Sequence, residues 1–205
     1  MELKPVLSME KLSFEYTSHP LFRQFDLRLG AGITWLRGEN GAGKTTLLKL
    51  AGGALTPHAG TITLDQLEIR AQPLAYRLQC YYCGGDTPQL PWLTLREMLD
   101  LHLSLYPNTD PAPLNAELRA FHLLHALDQP VTTLSLGQHK KMQLSLALAL
   151  PVRLLLIDEP FNGLDADAMA YLREQLAAPG RLARQCILLT SHLDPALPLA
   201  ATVQL

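Results

Sequence analysis

Gly38-Glu39-Asn40-Gly41-Ala42-Gly43-Lys44-Thr45 is a complete G-x-x-x-x-G-K-[ST] loop, followed by Thr46. Its glycines allow backbone conformations closed to other residues and let the chain approach a phosphate closely. Successive N–H groups then form an anion nest at the positive end of the next helix. Lys44 adds a point charge for the β- and γ-phosphates, and Thr45 a hydroxyl for Mg²⁺. A second group lies downstream, where the apolar run Leu154-Leu155-Leu156-Ile157 delivers Asp158 and Glu159. Ligands bind beyond the C-terminal ends of strands in open parallel sheets. Asp158 suits the shell of a Mg²⁺ ion, and Glu159 suits general-base work on an attacking water. An acidic pair at a strand end can also simply face solvent; the phosphate loop upstream favours hydrolysis.

These groups need a scaffold to bring them together. Residues 6–16, 27–29, 33–36, 61–64 and 79–83 read as strands. Residues 44–54 have helical spacing, so 33–54 is strand, glycine loop, helix. Residues 94–105 read as a helix with Thr94 and Glu97 in a capping-box pattern. A helix over 114–127 follows, then a loop over 131–136 and a helix to about 150. The strand 153–158 is apolar on both faces, as central parallel strands are. A helix over 166–178 and a buried strand over 186–191 complete the pattern. A helical block thus interrupts an α/β unit.

Further motifs carry a resemblance. Leu134-Ser135-Leu136-Gly137-Gln138 resembles the signature sequence of the ATP-binding cassette (ABC) ATPases, with Leu136 where that family usually has Gly. Asn162-Gly163-Leu164-Asp165 is similar to its D-loop, and Leu188 to His192 to its switch strand and histidine. Tyr16 lies where the family carries an aromatic that stacks on adenine. The resemblance covers nearly the whole chain, in the family's order.

It implies a P-loop NTPase fold of the α/β class: a RecA-like core, an N-terminal antiparallel β subdomain and an inserted helical subdomain. The implied boundaries are 1–87 and 151–205 for the core with its β subdomain, and 88–150 for the helical part, all one domain. It also implies a head-to-tail homodimer that sandwiches two ATP molecules. Each site then takes its phosphate loop from one subunit and Ser135, Leu136, Gly137 and Gln138 from the other. Ser135 and the Gly137 amide are expected at a helix N-terminus, where free N–H donors and the helix dipole suit a γ-phosphate. Asp86 stands where the family places a glutamine that touches Mg²⁺ and the attacking water. A carboxylate can ligate Mg²⁺ there, although it is shorter and charged.

Composition bounds the class. The chain has 205 residues, 48% apolar and 18% charged, enough for one large domain with a sizeable core. Seventeen Lys and Arg against nineteen Asp and Glu leave a charge of −2, which argues against a nucleic-acid partner. Three cysteines fit a reducing compartment. Apolar runs fall short of the ~18–20 residues of a membrane span, and no secretory leader is expected at the N-terminus.

Other residues receive plainer readings. Cys80-Tyr81-Tyr82-Cys83 has zinc or redox spacing but no second pair, so buried thiols are expected. His122 and His125 read as solvated, and His139-Lys140-Lys141 as an exposed helical face. Trp35 and Trp92 read as packing residues, with Pro88, Pro91 and Trp92 also placed to meet a membrane partner.

The resemblance implies an ATP- and Mg²⁺-dependent hydrolase, peripheral on the cytoplasmic side of the inner membrane, with the cytosol as the alternative. It would drive a separate transmembrane permease subunit, with membrane contact only through that partner. The short stretch after His192 leaves no room for a regulatory domain and leans toward export. In size the chain is similar to small bacterial exporter cassettes, including the haem-exporter subunit of cytochrome c maturation. A non-transport cassette ATPase and a low-turnover nucleotide-binding scaffold are the alternatives.

Overall fold

A computed structural model describes residues 5–16, 20–85, 90–107 and 109–205. In chain order, β1 (Leu7–Glu15), β2 (Pro20–Leu29), β3 (Gly32–Arg37), α1 (Lys44–Ala51), β4 (Ala59–Leu64) and β5 (Leu67–Glu68) come first. Then follow α2 (Pro73–Arg77), β6 (Cys80–Cys83), α3 (Leu95–Ser104), α4 (Ala112–Ala120) and α5 (Leu136–Ala149). Last are β7 (Leu154–Ile157), α6 (Ala166–Leu176), α7 (Pro179–Leu182), β8 (Cys186–Thr190) and β9 (Leu199–Gln204).

Two sheets result among the described residues. One is antiparallel, in the order β2-β1-β4-β5. The other is parallel, in the order β6-β7-β8-β3-β9. Strands β3, β7 and β8 are almost wholly buried, and successive side chains enter opposite layers. Ile33, Leu155, Ile157, Ile187 and Leu189 pack with the helical block and α6. Leu36, Leu154, Leu156, Cys186 and Leu188 pack with α1 and the antiparallel sheet. Cys80 and Cys83 fall in different layers for the same reason, and all three cysteines are free and buried.

The expected helix over 114–127 is shorter. α4 stops at Ala120, His122 takes a left-handed φ of 56°, and a 3-10 turn holds Leu124–Ala126. His122 and His125 therefore share no α-helical face and are both exposed. The expected capping box of Thr94 with Glu97 is formed at α3, and a second one, Ser135 with Gln138, opens α5. No described helix is long and apolar enough to cross a membrane.

Candidate functional site

Strand order dictates the site. β3, β8 and β7 lie side by side and end at one edge, in register Leu36↔Thr190 and Ile157↔Leu189. The phosphate loop leaves β3, the acidic pair leaves β7, and His192 follows β8. They bound a cavity of about 410 Å³ lined by Tyr16, Leu21, Asn40, Gly41, Gly43, Lys44, Thr45, Thr46, Asp158, Glu159 and His192.

Within the loop, Gly43 caps α1 at φ 98°, a region that L side chains avoid. A Cβ there would also come within 3.0 Å of Leu21 and Phe22. Lys44 is buried and its Nζ donates to the carbonyls of Gly38 and Glu39 at 2.8 and 2.9 Å. The cation is thus strapped across the nest. Gly38, Glu39 and Ala42 shape the loop behind the cavity, and Glu39 lines a smaller neighbouring hollow with His192.

Asp158 is held on both oxygens. Thr45 Oγ1 donates to Oδ2 at 2.6 Å, and Thr190 Oγ1 donates to Oδ1 at 2.6 Å. Thr190 also accepts the Glu159 amide at 2.9 Å. Glu159 has φ 49°, which costs a non-glycine residue roughly 1–2 kcal/mol. Its Oε1 is buried without a hydrogen bond and lies 3.5 Å from His192 Nε2. That oxygen therefore has room to accept a hydrogen bond. A hydroxyl beside a carboxylate is a hard-oxygen pair suited to Mg²⁺. No group of three His, Cys, Asp or Glu that could hold a metal is found among the described residues.

Tyr16 is 61% exposed at the cavity mouth. Its hydroxyl bonds Thr46 Oγ1 at 3.1 Å, and its ring stands edge-on to Phe14. That leaves a ring face available to a planar base. Ser135 to Gln138 sit apart from the cavity at the start of α5. The Ser135 side chain accepts the Gln138 amide, and Gln138 Oε1 accepts the Ser135 amide. Leu136 is 88% exposed, so its bulk is accommodated without crowding the described residues. Gly137 is the more closely packed position, since a Cβ there would lie 3.1 Å from the Gly163 carbonyl. Asp165 caps α6 through the Ala168 amide and pairs with Lys141 at 2.5 Å. Those bonds, the Lys141 one foremost, hold its carboxyl below the ordinary range. Asp86, with Pro88, lies outside the described residues.

One sequence expectation is corrected. His139, Lys140 and Lys141 are half-buried, and both lysines turn toward the acidic loops, Lys140 donating to the Asp158 carbonyl at 2.9 Å. Burial lowers the His139 imidazole below its ordinary value. Thr190 and Leu21 were not expected at the site. Thr190 was read only as part of the switch strand with no role of its own, and Leu21 lies in a stretch of β2 that has no clear alternation. Trp35 is packed as expected, but its indole also donates to the Ser191 carbonyl beside His192 at 3.2 Å.

Residues 22–162 match the ABC transporter family. The chain is 35% identical to the cytochrome c biogenesis ATP-binding export protein CcmA of Legionella pneumophila, over 92% of this chain and 94% of that one. It is 36% identical to the Pseudomonas putida protein of the same name, over 84% and 82%. Among solved structures, the ATP-binding subunit of an ABC transporter superposes with a TM-score of 0.84 at 30% identity, covering 92% of this chain and 80% of that chain.

Proposed function

Because the chain belongs to the ABC transporter family, as an ATP-binding subunit, we propose that it hydrolyses ATP between two copies of itself and drives export through a separate membrane-spanning permease. The observation that carries this reading is the convergence of Lys44, Thr45, Asp158, Glu159 and His192 on one cavity. Lys44 and the loop amides take the phosphates, and Tyr16 takes the adenine. Thr45 and Asp158 would hold Mg²⁺, which would supply charge neutralisation at the phosphates. Glu159 accepts a proton from the attacking water, and His192 sits beside it to orient that water or the γ-phosphate. Ser135 and Gly137 of the second copy close the far side of the nucleotide with the N-terminus of α5, and Asp165 stands in the loop beside them. Hydrolysis then removes the anion that bridges the copies, so the pair loosens.

The likeness to export proteins over nearly the full length of both chains supports export, with cytochrome c biogenesis as the process served. The apolar Trp92, 73% exposed at the entrance to the helical block, suits contact with the permease, which would hold the chain at the cytoplasmic face of the inner membrane. Replacing Glu159 by Gln tests the reading. Turnover is expected to fall by roughly 10²–10⁴, while ATP binding and the ATP-dependent dimer persist. A Glu159→Gln protein that turns over normally, or a wild type with no rate to lose, overturns it.

A further inference from the structure

The peptide that joins Asp158 to Glu159 is gripped at both ends. Thr190 accepts its N–H, and Lys140 Nζ donates to its carbonyl oxygen, each at 2.9 Å. Glu159, next in the chain, holds a left-handed φ, a conformation that persists only where the surroundings fix it. Rotation of this peptide would swing the Glu159 carboxylate away from His192. Lys140 comes from α5, one turn beyond the Ser135 cap. Neighbouring α5 residues bind the same region: Lys141 pairs with Asp165, and Gln143 accepts from Cys83 Sγ at 3.8 Å. The lysine charge also registers at Cys83, where it opposes the upward push of burial on the thiol.

We propose that Lys140 is a positioning residue, fixing the aim of Glu159 through the Asp158 carbonyl and tying that aim to the seating of α5. This rests on the reading of Glu159 as the base. Because α5 carries the residues that would meet the second copy's nucleotide, the contact couples one site's capping helix to its own chain's base.

The experiment compares Lys140→Met, which keeps the stem and loses the donor, with Lys140→Arg, which keeps a cationic donor. ATP turnover by the full chain with its membrane partner is expected to fall about tenfold in K140M at unchanged KM and ATP affinity. K140R should recover most of the loss. In a Glu159→Gln background, K140M should cost nothing further in single-turnover hydrolysis, because it acts through the residue already removed. If K140M does not fold, Lys140→Gln replaces it. Wild-type turnover in K140M, a matching loss of ATP affinity, or a full additional loss in the Glu159→Gln background overturns the proposal while leaving the base reading intact. Normal turnover of Glu159→Gln alone overturns both.

Discussion

Asp158 accepts a hydroxyl on each carboxylate oxygen, from Thr45 at the start of α1 and from Thr190 at the end of β8. The two threonines are not equivalent. Thr45 faces the cavity, whereas Thr190 is fully buried and also carries the Glu159 amide. Thr190→Val keeps the shape and removes both bonds. It leaves a part-buried N–H without its partner, a defect costing about 1–3 kcal/mol. At about 2–4 °C per kcal/mol for a chain of this size, a thermal melt should fall by several degrees. ATP turnover should drop with it, since Asp158 and Glu159 both lose an anchor. An unchanged melting temperature would show that another group takes over the bond.

At the scale of elements, two helices start with the same chemistry and face different tasks. Thr94 with Glu97 caps α3, and Ser135 with Gln138 caps α5. Loss of either hydroxyl should cost about 1 kcal/mol, so Thr94→Ala and Ser135→Ala should lower the melt by similar amounts. Only Ser135→Ala should also weaken the ATP-dependent dimer measured by light scattering. Equal dimerisation in the two variants would argue against α5 meeting the second copy's nucleotide. The α3 cap was readable in the sequence because it is local, and so were β7 and β8, whose apolar runs admit little else. What escaped was non-local or short. β9 is an edge strand of small, alternately exposed residues, held by its pairing with β3. α2 and α7 are single-turn helices opened by proline. Thr190 acquires its role only because β8 lies between β7 and β3, an order that no residue spacing reveals. The phosphate loop was legible residue by residue for the opposite reason, since its chemistry is contained in eight consecutive positions.

Across the whole molecule, the helical block and the parallel-sheet core meet at a buried polar joint. Glu117 on α4 accepts the Tyr171 hydroxyl of α6 at 3.0 Å, and the Tyr171 ring stands edge-on to Phe121. Arg181 of α7 lies close enough for its charge to act on the pair, while itself donating to the Leu148 carbonyl and Gln185. Burial is the largest influence on Glu117 and raises its carboxyl above the usual range, with the Tyr171 bond and the Arg181 charge opposing it. A carboxyl raised on folding contributes stability that is fully present below its unfolded value and is lost as pH rises through its folded value. Glu117→Gln keeps an acceptor for Tyr171 and does not titrate. The wild type should therefore be most stable relative to Glu117→Gln at the acid end of a melt series between about pH 4 and 8. Its relative stability should decline as the pH passes the ordinary carboxylate range. A difference that instead moves in the wild type's favour with rising pH would mean that the Arg181 attraction outweighs burial, and that the joint is held by charge pairing.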